Sequence, residues 1–262
     1  MKSILIIGCG WLGKITAKLL INSGYSVTGT TRDADKFEAL SELGISPVIL
    51  DIKHGLESEI PKADVVIISI PPKRTADNGE YVKAIMAISL ALSKANNQVI
   101  MCSSTSVYNE CSNIVVEDDL ISTKDHSNII VSAEATLREL LPHSIILRLG
   151  GLYGYHRHPV YFLSGRKQVP NGDAPVNLVH GDEVASIVQK IIEQEIKGEV
   201  FNVVAPSHPT KKQVYGAKAK EFNLDPPSFL AGGKDSKKVD SSKLIQTLDY
   251  KFVYNNPLDP YK

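Results

Sequence analysis

Residues 6–13 read IIGCGWLG, with glycines at 8, 10 and 13 directly behind the aliphatic run Ile4–Ile7. A GxGxxG spacing says little by itself; between a predicted strand and a predicted helix it describes a phosphate-binding turn. Gly8 permits the tight turn, Gly10 lets backbone approach a pyrophosphate, and Gly13 lets the helix lie close to the strand. The helix opening at Trp11 and Leu12 then offers unpaired N–H groups and partial positive charge to phosphate oxygens.

The next strand, ending Val27-Thr28-Gly29-Thr30-Thr31-Arg32, bears on which dinucleotide would fit. An NAD site places a carboxylate about 20 residues after the glycines to bind the ribose hydroxyls, whereas an arginine there accommodates a 2′-phosphate. Thr31 stands where the acid is expected and Arg32 follows it, a hydroxyl and a guanidinium that can bind phosphate. This favours NADP; Asp33 and Asp35, slightly late in the chain, leave NAD open.

Outward from the turn, apolar runs alternate with helical patterns. ILIIG is followed by LGKITAKLLINSG, with Leu12, Ile15 and Leu19 on one predicted face. YSVTGT, KFEALSELG, PVILD, DVVIISI and a helix from about Tyr81 to Ala95 come next, then QVIMCSS, SAEATLRELL, SIILRLGG, DEVASIVQKIIEQ and EVFNVV. Continuous rather than alternating apolar strands are buried on both faces, so the pattern predicts an α/β fold: a doubly wound, Rossmann-type parallel sheet. Two stretches break the alternation. Asn109 to Ser127 is polar and reads as an active-site loop, while residues 154–178 and 206–262, rich in Pro, Gly, Lys and Tyr, read as a small C-terminal lobe. The expected division is thus 1–153 plus about 179–205 for the dinucleotide-binding domain and about 154–178 plus 206–262 for a substrate-binding lobe.

Composition narrows the partners. Lys plus Arg and Asp plus Glu both total 29, so no net field draws in nucleic acid or an anionic membrane, and a small molecule is expected instead. Cys9, Cys102 and Cys111 are too few for a disulfide framework, which points to a reducing cytoplasm. Ile6-Ile7-Gly8-Cys9 superficially matches a lipoprotein cleavage box, but the apolar run before it is shorter than the roughly 7 to 15 residues of an export signal. No apolar run is long enough to span a bilayer.

Later blocks carry a resemblance. VIMCSSTSVY (99–108), ILRLGGLYG (146–154), LVHGDEVA (178–185) and FNVV (201–204) together resemble the extended short-chain dehydrogenase/reductases, the NAD-dependent epimerase/dehydratase group, over nearly the whole chain. The resemblance implies that Asp51 and Ile52 contact adenine and that Ile70 and Pro71 lie beside the cofactor's ribose. It implies that Ser104 hydrogen-bonds a substrate oxygen and that Gly150, Gly151 and Leu152 pass near the nicotinamide. Asp182 in the His180 block reads as a helix cap. A small-molecule substrate follows, a sugar nucleotide or other carbonyl compound, with a homodimer as the possible assembly.

One part of that family's pattern is missing. Its acid/base pair is Tyr-x-x-x-Lys, in which one helical turn sets the ammonium beside the phenol. No tyrosine here is followed four residues on by lysine; Tyr153 with Arg157 comes nearest. Aligning Ala133-Glu134 with the Ala-Glu that commonly follows the pair puts His126 at the tyrosine position and Ile130 at the lysine position. His126 is then a candidate proton donor, although loop histidines are commonly solvated; Tyr108 and Tyr153 are alternatives whose default role is packing, and Lys124 reads as a loop charge. Tyr155-His156-Arg157-His158 could meet an anionic substrate, and His156-x-His158 lacks the partners of a metal site, so no metal is expected. The residues are compatible with an NADP-preferring oxidoreductase or epimerase-like enzyme with a non-standard proton donor, or with an inactive NAD(P)-binding redox sensor.

Overall fold

The computed structural model describes residues 1–52, 59–72, 78–109, 114–119 and 128–260. Strands β1 (Ser3–Ile7), β2 (Ser26–Thr31), β3 (Ser46–Ile49), β4 (Val65–Ile68) and β5 (Gln98–Ser104) alternate with helices α1 (Trp11–Asn22), α2 (Phe37–Ser41) and α3 (Asn78–Leu92). After β6 (Ile114–Val115) come α4 (Ile129–Leu140), β7 (Ile145–Leu149), β8 (Gly151–Tyr153), β9 (Leu178–His180), α5 (Gly181–Glu193) and β10 (Val200–Val203). The chain closes with α6 (Lys211–Glu221), β11 (Lys238–Val239) and α7 (Ser242–Leu248).

Seven strands form one sheet in the order β10-β7-β5-β4-β1-β2-β3, a Rossmann-type α/β sheet. β1 pairs in parallel with β2 and β4, β2 with β3, and β4 with β5. The order reverses at β1, where the chain leaves toward β2 and β3 and returns to continue through β4, and a crevice opens at such a reversal. All four residues of β4 are buried, as a strand covered on both faces requires, whereas β3 is half exposed and tolerates Pro47 because it is an edge.

Two compact units emerge. The first comprises Met1–Val107, Leu120–Arg148 and Ala185–Phe201; the second comprises Tyr108–Asp119, Leu149–Val184 and Asn202–Lys262. Residues 108–119, 149–153, 179–184 and 202–205 thus group with the second unit, although chain position had placed them with the first. Long-range pairing is the reason: β6 pairs with β11, β8 pairs with β9, and the Asn202 backbone N–H donates to Glu117 Oε1 at 2.7 Å. Part of the supposed loop 109–127 is therefore strand β6.

In the first unit Leu5, Ile7, Val66, Ile68, Val99 and Met101 meet Ile85, Ile88 and Leu92 of α3 and Ala133 and Leu137 of α4. α1 buries Leu12, Gly13, Thr16, Ala17 and Leu20, while Ile15 and Leu19 are only partly covered. The expected face was thus rotated: the tight approach at Gly13 and the small Thr16 and Ala17 draw that side of the helix onto the sheet. The second unit has its own core, built on Tyr153, Val160, Val176, Leu178, Val214 and Tyr215.

Candidate active site

A cavity of about 860 Å³ lies in the first unit. Its wall passes from Arg32 and Asp51, just after β2 and β3, across Gly8 and Gly10 after β1, to Ser69–Pro72 after β4 and Tyr81 on α3. It follows the carboxyl ends of the strands through the topological reversal, where open α/β sheets hold ligands.

The glycines fall into three physical roles. Gly8 has φ +88°, and a Cβ there would lie 2.6 Å from Ile70 Cγ2, so the turn requires glycine. Gly13 is buried, and its Cβ would meet the Gly8 carbonyl oxygen at 3.0 Å, which is the helix–strand contact the spacing predicts. Gly10 precedes α1 and has nothing within 4 Å of a hypothetical Cβ; Gly10 and Trp11 line the cavity. That open cradle at a helix N-terminus fits a pyrophosphate. Leu12 is buried and, like Gly13, serves packing without lining the cavity. Cys9, buried in the turn, is a filler whose thiol burial pushes up to about 11.

Beyond β2, Thr31 and Arg32 line the cavity together with Asp33, Lys36 and, from α1, Lys14. Asp33 is engaged locally: Oδ1 accepts from the Asp35 N–H at 3.1 Å, and Oδ2 lies 3.4 Å from Lys36 Nζ. Thr31 Oγ1 accepts from the Asp33 N–H at 3.2 Å. Arg32 is exposed. Asp51 and Ile52 lie past the end of β3 and Ile70 and Pro71 past the end of β4, all four on the cavity wall. Lys14, Lys36, Ser69 and Tyr81 were not singled out from sequence; Lys14, three residues into α1, was the one with a positional signal.

At the end of β5, Ser104 is half-buried and its Oγ accepts from the Ser106 N–H at 3.1 Å. Its neighbour Ser103 donates to Glu134 Oε1, and Glu134 receives Arg148 Nη2 at 2.9 Å and both side chains are buried. Ile130, at the aligned lysine position, is 9% exposed in the first turn of α4, which Asn128 caps by accepting from the Ile130 and Val131 N–H groups. His126 and Lys124 lie outside the described residues.

In the second unit the expected site residues have structural explanations. A Cβ on Gly150 would meet the Asn177 carbonyl oxygen at 2.7 Å and one on Gly151 would meet Leu178 Cδ2 at 2.7 Å, so close packing within this unit already requires both glycines. Tyr108 is buried and its hydroxyl donates to Asn202 Oδ1 at 2.6 Å. Tyr153 is buried in the unit's core. Asp182 is not the helix cap: α5 begins at Gly181, His180 Nδ1 accepts the Asp182 N–H at 3.2 Å, and the Asp182 carboxylate accepts the Tyr155 hydroxyl at 2.8 Å. His158 is 1% exposed, with Nδ1 accepting from the Val160 N–H at 3.1 Å, and burial pushes its pKa down to about 4. It is thus a neutral packing residue and not a ligand for anions. Among the described residues no three His, Cys, Asp or Glu side chains are placed to share a metal ion. Among the same residues no helix is long and apolar enough to cross a membrane.

Residues 8–195 match the family described as NAD(P)H-binding. Protein YeeZ of Escherichia coli (strain K12) is 32% identical over 271 residues, covering 98% of both chains. Two solved structures share the fold at lower identity. The Bordetella bronchiseptica enzyme WbmH, in complex with NAD+, superposes with TM-score 0.75 at 17% identity, covering 94% of this chain and 91% of that one. The human epimerase family protein SDR39U1 (isoform 2), with NADPH, has TM-score 0.74 at 15% identity, covering 98% and 96%.

Proposed function

The chain belongs to the NAD(P)H-binding family, and from that premise we propose that it is an NADP-preferring oxidoreductase or sugar-nucleotide epimerase/dehydratase-like enzyme with a non-standard proton donor. The carrying observation is the wall beyond β2: Lys14 and Arg32 line it, while the Asp33 carboxylate accepts from the Asp35 N–H and pairs with Lys36. A free carboxylate there would chelate ribose hydroxyls and repel a 2′-phosphate; cations beside Thr31 favour that phosphate.

In this reading Gly8, Gly10 and Trp11 hold the pyrophosphate, Thr31 and Arg32 the 2′-phosphate, Asp51 and Ile52 the adenine, and Ile70 and Pro71 lie beside the cofactor's ribose. Hydride exchange is the chemistry a nicotinamide supplies when bound. Ser104 donates to a substrate oxygen and polarises the bond being reduced or oxidised. The Tyr108 hydroxyl is held by Asn202, so the proton passes through His126 or water. The substrate is a carbonyl compound or sugar nucleotide, and the free thiols Cys9 and Cys102 suit a reducing cytoplasm.

Dissociation constants for NADPH and NADH test the cofactor choice, and tighter NADH binding sinks it. Absorbance at 340 nm across carbonyl and sugar-nucleotide substrates tests the chemistry. Silence across the panel, with different affinities for NADP+ and NADPH, supports the rival reading of a redox sensor, which the buried Ile130 at the lysine position favours.

A further inference from the structure

Tyr81 lines the cavity, and the roles assigned above leave it unused. It lies in the first turn of α3, is 9% exposed, and packs in the cluster that contains Ile85, Ile88 and Met101. Apolar packing there needs only a ring, which phenylalanine would supply. The hydroxyl is what the packing leaves over: it is not among the sealed polar atoms, and among the described residues nothing hydrogen-bonds it, so it is an accessible donor on a residue that lines the cavity.

The surroundings define what that partner can be. Burial, with smaller contributions from Cys102 and Glu134, pushes the phenol far above its ordinary range, so it stays a neutral donor throughout the physiological pH range. Glu134 is held by Ser103 and Arg148, so among the described residues the cavity is left as the source of an acceptor. Tyr81 lies near Cys102 of β5 and Glu134 of α4, and β5 is on the side of β4 away from β2 and β3; Ile70 after β4 and Leu50 and Ile52 after β3 pack in the same cluster.

We propose that the Tyr81 hydroxyl donates a hydrogen bond to an oxygen in the non-adenine half of the bound dinucleotide, a ribose hydroxyl or the carboxamide oxygen. The assignment rests on the reading of this cavity as the NAD(P) site. It makes Tyr81 a cofactor-binding residue that no sequence motif marks.

Tyr81→Phe tests it in the full chain, by calorimetric titration and urea unfolding. NADPH binding weakens about three- to tenfold, the range of one neutral hydrogen bond. Affinity for 2′,5′-ADP, which lacks the non-adenine half, stays unchanged, and the unfolding midpoint without ligand does not fall because no hydrogen bond to a described residue is lost. Unchanged NADPH affinity, equal weakening of both ligands, or a lowered midpoint without ligand would each overturn the assignment. If the wild-type chain binds neither NADPH nor NADH, the cavity reading fails and Tyr81 with it. If it binds and the variant binds equally well, only the Tyr81 assignment fails.

Discussion

Replacing Gly10 by alanine separates the cradle from the fold. A Cβ at position 10 meets nothing within 4 Å, although the backbone at φ −84°, ψ −146° lies just past the extended region that L residues favour. Alanine caps a helix less well than glycine, costing roughly 0.5–1 kcal/mol, while the stiffer unfolded chain returns about 0.4–1 kcal/mol. Stability should therefore fall by about 1 kcal/mol, the low end of the cost of a sparsely populated backbone conformation. The new methyl group does occupy the space through which backbone N–H groups reach a pyrophosphate. Losing one hydrogen bond to a charged oxygen costs about 1.5–3 kcal/mol, so NADPH affinity should fall about 10- to 100-fold. Gly8→Ala supplies the contrast: φ is +88° and the Cβ would stand 2.6 Å from Ile70 Cγ2. A left-handed alanine costs about 1–2 kcal/mol and the overpacking about 1–3 kcal/mol more, for a total of roughly 2–5 kcal/mol. Urea unfolding with fluorescence detection reads stability and isothermal titration reads affinity. Wild-type NADPH affinity in Gly10→Ala, or a stability loss as large as that of Gly8→Ala, would refute the division of roles among the glycines.

Three further outcomes follow from particular contacts. Arg32→Ala should weaken NADPH about tenfold or more and leave NADH within about twofold, because a lost charge-assisted bond to phosphate is felt by NADPH alone; equal effects on both cofactors in titration would make Arg32 a mere surface charge. Glu134→Ala removes the carboxylate paired with the buried Arg148 guanidinium and should cost about 3–5 kcal/mol in urea unfolding, with a near-neutral result showing that the ion pair is dispensable. For His158 the folded pKa of about 4 lies below the unfolded value near ~6.5, so the unfolded chain binds the extra proton between them. Its contribution is full above pH ~6.5 and is lost as pH falls toward about 4, with a total of order 3 kcal/mol. His180 and His208, whose pKa values burial also lowers, act in the same direction. His158→Asn, which keeps an acceptor for the Val160 N–H, should flatten that acid limb; an unchanged pH profile of unfolding would contradict the assignment.

Local chain chemistry was enough to read most of the first unit. Aliphatic runs such as Val65–Ile68 announce strands covered on both faces, and glycines at 8, 10 and 13 announce the turn, because each signal depends on neighbours within a few residues. The expectation at Arg32 has the same local basis: its distance from the glycines is set by one strand–helix–strand unit. The family pattern was less informative in the second unit, where Gly150 and Gly151 prove to be demanded by packing against Asn177 and Leu178 and the Tyr108 hydroxyl is taken by Asn202. Asp182 illustrates the limit of local reading, since cap and helix residue differ by one or two positions and His180 takes the capping role.

The amino-acid sequence by itself determined the α/β class, the glycine turn after β1 and the absence of Tyr-x-x-x-Lys, since periodicity, glycine spacing and residue identity are written in order along the chain. Only the tertiary structure decided that Asp33 is locked to Asp35 and Lys36 and that Lys14 joins Arg32 on one wall. It also showed that Tyr81 lines the cavity and that, among the described residues, nothing hydrogen-bonds its hydroxyl. Those facts depend on which distant or neighbouring groups compete for each polar atom, and hydrogen-bond competition is settled in space after the sheet has brought the strand ends together.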